Sequence, residues 1–333
     1  MKKSRLADIA REAMVGTATV ERVLNSRGNV APATVERVVL AARKLGYDRR
    51  LPERYRGIIR IEVIIVRPDL PFFNRLNLAF ARIAATLDAS IMVHRTLLDE
   101  NDPVGMARHI ANPGFRRSGL IIVAPDHPEV KARLKEARQA GVVVVHIVSR
   151  IGDDDPFVGI DNYAAGRTAA YYMANMLKPR QGSLVALCHS GAYGAHKERI
   201  SGFSDYLAEH PHPGHEFALV MLGLDDRLRS AELFEDALRI RPDIIGIYNA
   251  GGANRGVASV LERHRDSIMW VGHELTDDSR RWLKSGLMDI VLDQAPEVQA
   301  RRAIDTVLHR IGFLDVEVSA DPVRFLTINA ENL

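Results

Sequence analysis

Polar residues recur just past short apolar runs in this chain, and their types are those that bind rather than react. Asp126 follows "GLIIVAP", Arg150 follows "VVVVHIVS", Arg199 opens "RISGF", Asn249 ends "IIGIYN", Glu274 ends "IMWVGHE" and Gln294 ends "DIVLDQ". Carboxylate, guanidinium and carboxamide groups are planar and bind in pairs of hydrogen bonds, which suits the adjacent hydroxyls of a small polyol. Adjacent Phe72 and Phe73, with Asn74 beside them, could stack on the apolar face of a ring; a pair of core phenylalanines is the plainer reading. Asp161 and Asn162 end "FVGIDN" in the same manner.

Reactive chemistry finds no such pattern. "NAGGANRG" lacks the glycine order of a dinucleotide loop and the Lys-Ser/Thr of a phosphate loop. "CHSGAYG" lacks the glycine two residues before Ser190 that a nucleophile elbow needs. The histidines at 210, 212 and 215 have no matching carboxylate or cysteine motif, so no metal site is expected. The single cysteine, Cys188, excludes an internal disulfide and reads as a small core residue. No catalytic residue, cofactor or metal is assigned, and an enzyme is not expected.

The binding groups must be held by elements, and the apolar runs name them. "IEVIIV", "SIMVHRT", "GLIIVAP", "VVVVHIV", "FVGID", "SLVALC", "FALVML", "IIGIYNA", "IMWVGHE" and "DIVLDQ" alternate with helical stretches. Continuous apolar strands separated by helices predict parallel sheets covered on both faces. About ten strands exceed one comfortable sheet, so two lobes are expected. In such sheets ligands sit beyond the carboxyl ends of the strands, where the polar set lies.

Ahead of this body lies a basic head. Residues 1–60 hold 14 Lys and Arg against 6 Asp and Glu, while the whole chain has 45 against 42, so the body is acidic. That asymmetry points the head at a polyanion; a solvated basic tail is the bland alternative. Leu6, Ile9, Ala10 and Ala13 follow helical spacing, as do Val20, Val23 and Leu24 after a turn at Met14–Gly16. A third helix opens near Pro32, buries Val35, Val38, Val39, Ala42 and Leu45, and stops at Gly46. This is the pattern of a helix-turn-helix unit.

The hexapeptide "ATVERV" occurs at 18–23 and again at 33–38. The first copy begins the helix after the tight turn, the end that reaches base edges in a major groove. Thr17 and Ala18 can offer methyl groups and a hydroxyl, Arg22 can reach a phosphate or a guanine, Glu21 can accept from a cytosine amino group, and Asn25 or Arg27 can contact backbone. The second copy lies in the supporting helix. The Arg-rich stretch "YDRRLPERYR" then leads into the body.

"LADIAREA", "TATVERVLN" and "TVERVVLAARKLGY", followed by "LPFFNRL", "RISGF", "VGHELTDDSRRWLKSG" and "VLDQAPEVQARRAID", resemble the LacI/GalR family of bacterial transcription regulators over essentially the whole chain. The resemblance implies an α/β protein with a small all-α helix-turn-helix headpiece and a two-lobed body of the type I periplasmic-binding-protein kind, with parallel sheets. It implies a headpiece at 1–46, a hinge at 47–59 and an effector-binding body at 60–333. The N-lobe would take about 60–161 plus 294–325 and the C-lobe about 162–293. Carried across, Phe72, Phe73, Asn74, Asp126, Arg150, Arg199, Asn249, Glu274 and Gln294 are the effector-contacting positions. In the hinge, Arg49, Arg50, Arg54 and Arg56 would serve the minor groove, with Leu51 or Tyr55 as the wedge.

The chain departs from the family pattern in the head, the hinge and the body. Met14-Val15-Gly16 stands where Gly and then Val-Ser are usual in the turn, and Glu21 is unusual beside phosphates; Asp48-Arg49 replaces Pro-Asn, and Tyr55-Arg56 stand where the wedging leucine is expected; Glu274 replaces an aspartate, and "AGGANRG" after Asn249 replaces an Asn-Asp pair. The implied function is repression from a pseudo-palindromic operator by a homodimer, controlled by a carbohydrate or polyol effector. With no signal peptide or membrane span legible, a cytoplasmic location is expected and no membrane partner.

Overall fold

The computed structural model of the chain describes residues 5–25, 30–45, 47, 58–152, 154–190, 193–264 and 268–333. Two compact units are distinguished, Met1–Ile59 with Asp88–Met92, and Arg60–Leu87 with Val93–Leu333.

The first unit contains α1 (Leu6–Glu12), α2 (Thr17–Leu24) and α3 (Pro32–Lys44). Ile9, Ala13, Val20, Val23, Val35 and Val38 are buried against one another, the helical stripes read from the sequence. Val39 and Leu45 are only partly buried, and Ala41 takes a core position in their stead. The turn between α1 and α2 is closed by Val15 N–H donating to the Ala10 carbonyl at 3.0 Å. Its left-handed residue is Met14, at φ 52° and 81% exposed. Gly16, at φ −74°, instead caps α2 with extended backbone. Moving the glycine two positions along thus leaves a side-chain-bearing residue in the conformation that glycine adopts most cheaply.

The second unit, to which β1 and β2 belong for most of their length, has the elements β1 (Ile59–Ile65), α4 (Pro71–Ala84), β2 (Ile91–Leu97), α5 (Pro103–Ala111), β3 (Gly119–Ile122), α6 (Pro128–Gln139), β4 (Val143–Ile147) and β5 (Phe157–Val158). It continues with α7 (Asn162–Met176), β6 (Gly182–Cys188), α8 (Gly194–Glu209), β7 (His215–Leu222), α9 (Arg227–Ile240), β8 (Ile244–Asn249) and α10 (Asn254–Leu261). The last elements are β9 (Met269–His273), α11 (Asp277–Lys284), β10 (Ile290–Asp293), α12 (Pro296–Arg310) and β11 (Leu326–Ile328).

These strands form two sheets, ordered β2-β1-β3-β4-β5 and β11-β10-β9-β8-β6-β7. Setting β11 aside and counting from the first strand of each sheet, both follow the order 2-1-3-4-5. That doubly wound order puts a crevice at the carboxyl ends of β1 and β3 in one lobe and of β6 and β8 in the other. Pairing is parallel between β1, β3, β4 and β5, and between β7, β6, β8, β9 and β10. β8 is buried at every position and β1 at all but one, which is why these strands read as unbroken apolar runs.

The chain passes between the lobes more than once. After β10 in the second sheet, α12 crosses to pack on α4, β3 and β4 of the first. At that joint Arg75 of α4 makes a bidentate bond to Glu297, both contacts 2.7 Å, and also donates to Asp293. Ile160 bridges to Val323, and β11, a strand too short to read from the sequence, then returns to pair antiparallel with β10.

Candidate functional site

In the first unit, Thr17, Ala18, Glu21, Arg22 and Asn25 are all exposed. Their spacing puts them on one face of α2 and of the residue that caps it, opposite buried Val20 and Val23. Arg27, Arg49, Arg50, Leu51, Arg54 and Tyr55 lie outside the described residues, so the hinge expectations have no structural counterpart.

In the second unit a cavity of about 650 Å³ opens between the lobes, lined by residues just past β1, β2, β4, β6, β7, β8, β9 and β10. Arg199 is its most deeply buried charged residue, 3% exposed. Its three bonds reach widely separated segments: Nε to Asn162 Oδ1 at 2.9 Å, Nη1 to the Ala250 carbonyl at 2.8 Å, and Nη2 to Gln294 Oε1 at 2.7 Å. Gln294 then donates through Nε2 to Glu274 Oε1.

Glu274 is buried in a left-handed conformation, φ 75°, and its Oε2 has no hydrogen-bond partner. Burial, reinforced by the charge of Asp293, pushes its carboxyl up to about 8. A buried carboxyl atom without a partner, bordering a cavity, is a feature expected of binding and reactive sites.

Six of the nine predicted effector positions line this cavity: Phe72, Phe73, Asn74, Arg199, Glu274 and Gln294. The two phenylalanine rings meet edge to face at 5.1 Å, Phe72 buried and Phe73 half-buried. The other three are placed elsewhere. Asp126 is exposed and pairs with Lys131 at 2.6 Å. Arg150 is exposed, with its guanidinium 5.1 Å from the centre of the Phe157 ring. Asn249 is fully buried and shapes the following loop, accepting from Gly251 N–H at 3.2 Å and donating to Asn254 Oδ1 at 2.7 Å. Asp161 caps α7 by accepting from Ala164 N–H, which leaves Asn162 to face Arg199.

The structure adds residues that the sequence reading passed over. Glu100 accepts from Tyr193 Oη at 2.6 Å and from Arg67 Nη1 at 2.8 Å, and lies 3.3 Å from His189 Nε2. Burial works against its ionisation, but the bonds from His189, Tyr193 and Arg67 outweigh it and hold its carboxyl near 2. Asp225, following β7, accepts from Gly252 N–H at 2.7 Å and is pushed upward by burial. Burial, with Arg199 nearby, holds His196 down near 3 and His273 well below its ordinary value. Arg67, Asp225 and His273 could have been found by the strand-end rule. Glu100 could not, because "LLDEND" holds three acids that the sequence does not distinguish.

Fold and cleft together define a two-lobed binding protein with a helix-turn-helix head. Residues 63–312 match the model of the periplasmic binding protein domain, and the chain belongs to that family; residues 5–50 match the model of bacterial regulatory proteins of the lacI family, so a domain of that kind precedes the body. The chain is 25% identical over 286 residues to the ribose operon repressor of Halalkalibacterium halodurans, covering 81% of this chain and 80% of that protein. It is 31% identical over 218 residues to an uncharacterised HTH-type transcriptional regulator in the aml 5' region of Streptomyces limosus, covering 62% of this chain and 58% of that one.

A solved structure, an ABC transporter solute-binding protein of Burkholderia graminis in complex with D-arabinose, superposes with a TM-score of 0.75 at 22% identity, covering 83% of this chain and 96% of that one. That likeness establishes the fold of the body. Among the described residues no group of His, Cys, Asp and Glu is arranged to hold a metal ion, and no helix is long and apolar enough to cross a membrane.

Proposed function

We propose that this chain is a ligand-responsive transcriptional repressor that acts in the cytoplasm as a homodimer, with a small carbohydrate or polyol in the interlobe cavity setting its affinity for a pseudo-palindromic operator. The observation that carries the reading is the chain of bonds from Arg199 through Gln294 to Glu274, whose Oε2 has no partner, beside Phe72 and Phe73 in the cavity between the lobes. It offers planar polar groups and an aromatic wall, the combination that recognises a hydroxylated ring. The names of the ribose operon repressor and the D-arabinose complex support the effector class.

In this reading 1–46 is the DNA-binding headpiece, 47–59 the hinge and 60–333 the effector-binding body. The N-lobe takes about 60–161 with 294–325, and the C-lobe about 162–293. Thr17, Ala18, Glu21, Arg22 and Asn25 form the major-groove face, joined by Arg27. Arg49, Arg50 and Arg54 serve the minor groove, with Leu51 or Tyr55 as the wedge. Asp126, Arg150 and Asn249 act from outside the cavity wall, Asn249 by holding the 250–254 loop. Effector binding closes or rotates one lobe against the other and changes the separation of the two heads in the dimer.

The test is a gel shift on duplexes from beside the gene, across a salt series, with and without a panel of monosaccharides and polyols. Operator affinity should fall steeply as salt rises, since each neutralised phosphate releases a counterion. Arg199→Ala should abolish the effector response and leave operator binding in place. Failure to bind any such duplex at low salt sinks the proposal.

A further inference from the structure

The buried acids around the cleft outnumber its guanidinium groups. Arg67 and Arg199 bring two guanidinium groups, while Glu100, Asp225 and Glu274 bring three carboxyl groups. The remaining charged residues of the lining lie exposed at the rim, as Asp69 and Asp277 do, or pair with one another, as Arg255 does with Asp278 at 2.5 Å. Arg67 is committed to Glu100 at 2.8 Å, and Arg199 donates to the neutral oxygens of Asn162, Ala250 and Gln294. Asp225 is met by one backbone N–H from Gly252, and Glu274 keeps Oε2 buried with no partner.

The three imidazoles that border the cavity do not fill the gap. His196 and His273 are held neutral at ordinary pH by burial. His189 has Nε2 against Glu100, an acid that Arg67 and Tyr193 already hold, and Nδ1 2.7 Å from Ser190 Oγ. The carboxyls of Glu274 and Asp225 are both pushed upward by burial, and an opposite charge within about 4–6 Å would reverse that shift.

We propose that the effector carries a protonated amine, as an amino sugar or an aminated polyol does, and that Glu274 Oε2 receives it with Asp225 as the second carboxyl group of the cavity. This rests on reading the cleft as the effector site. A neutral polyol satisfies Oε2 with a hydroxyl and leaves Glu274 protonated, as burial alone already holds it, whereas an ammonium group lets it ionise. A sugar phosphate or uronate would set a further negative charge beside Glu274 and Asp225, acids that burial already pushes towards the neutral form.

The test is calorimetry on the full chain at about pH 6.5, where such amines are protonated, with matched pairs: glucosamine and glucose, galactosamine and galactose, mannosamine and mannose, 1-amino-1-deoxyglucitol and glucitol. In at least one pair the amine should bind about tenfold tighter or more, a difference near 1.4 kcal/mol. Binding should also release up to about one proton, read from buffers of different ionisation enthalpy, as Glu274 ionises against the ammonium group. Glu274→Gln and Asp225→Asn, each checked for an unaltered cooperative unfolding transition, should each lower the amine preference. If hydroxyl members bind as well as or better than their amine partners, the inference is overturned while the carbohydrate reading stands. If no member of any pair binds, both fall.

Discussion

Glu274 and Met14 both carry a side chain at positive φ, and each makes a measurable claim. The Glu274 carboxyl is raised from its ordinary 4.5 to about 8 by burial and Asp293. Between those values the unfolded chain has released a proton that the folded chain keeps, so stability is unpenalised below about pH 4.5 and falls as pH rises towards 8. It levels off above that. The loss is on the order of a few kcal/mol. Glu274→Gln removes the titration, so the fall in unfolding free energy between about pH 5 and about pH 8.5 should shrink by that order in denaturant titrations. An unchanged pH profile would show that the acid is not held neutral. At Met14, φ 52° on an exposed side chain costs more than the same turn would with glycine. Met14→Gly should therefore stabilise the head by about 1 kcal/mol, read from hydrogen exchange of the amides of α1 and α2 in the full chain.

At the scale of elements, the position of Arg199 is set by how closely α8 approaches α7. A methyl group on Gly202 would meet the Tyr163 carbonyl oxygen at 2.1 Å, and one on Gly166 would meet the Arg199 carbonyl oxygen at 1.9 Å. The two helices therefore pack backbone against backbone, and this contact lets the guanidinium reach Asn162 at the start of α7. Gly202→Ala should push α8 outward, lower unfolding stability by about 1–3 kcal/mol and weaken the effector response, because a shift of about 1 Å breaks bonds of 2.7–2.9 Å. Retention of both stability and response would mean that the helices give way without cost. The glycine of "RISGF" is visible in the sequence, but its reason is not, since nothing local announces that another helix will lie against it.

At the scale of the whole molecule, the head and the cleft are coupled only if they share one free energy. Binding of operator should change the affinity for effector by the same factor by which effector changes the affinity for operator, measured by titrating each in the presence of the other. Equal effector affinities with and without operator would remove the proposed switch. The sequence by itself determined what depends on neighbours along the chain. The amphipathic stripes of α1 to α3, the apolar runs of the parallel strands and the basic head on an acidic body are all set by local periodicity and composition, which burial of one face or of both makes legible. Tertiary structure decided which strand-end residues meet. Asp126 and Arg150 follow their strands just as Gln294 follows its own, yet only Gln294 turns to Arg199. Glu100 and Tyr193, 93 residues apart, find each other only because β2 and β6 end on facing sides of one cleft. A carboxyl group's charge and partners depend on what surrounds it in three dimensions, and neither spacing nor residue type along the chain carries that information.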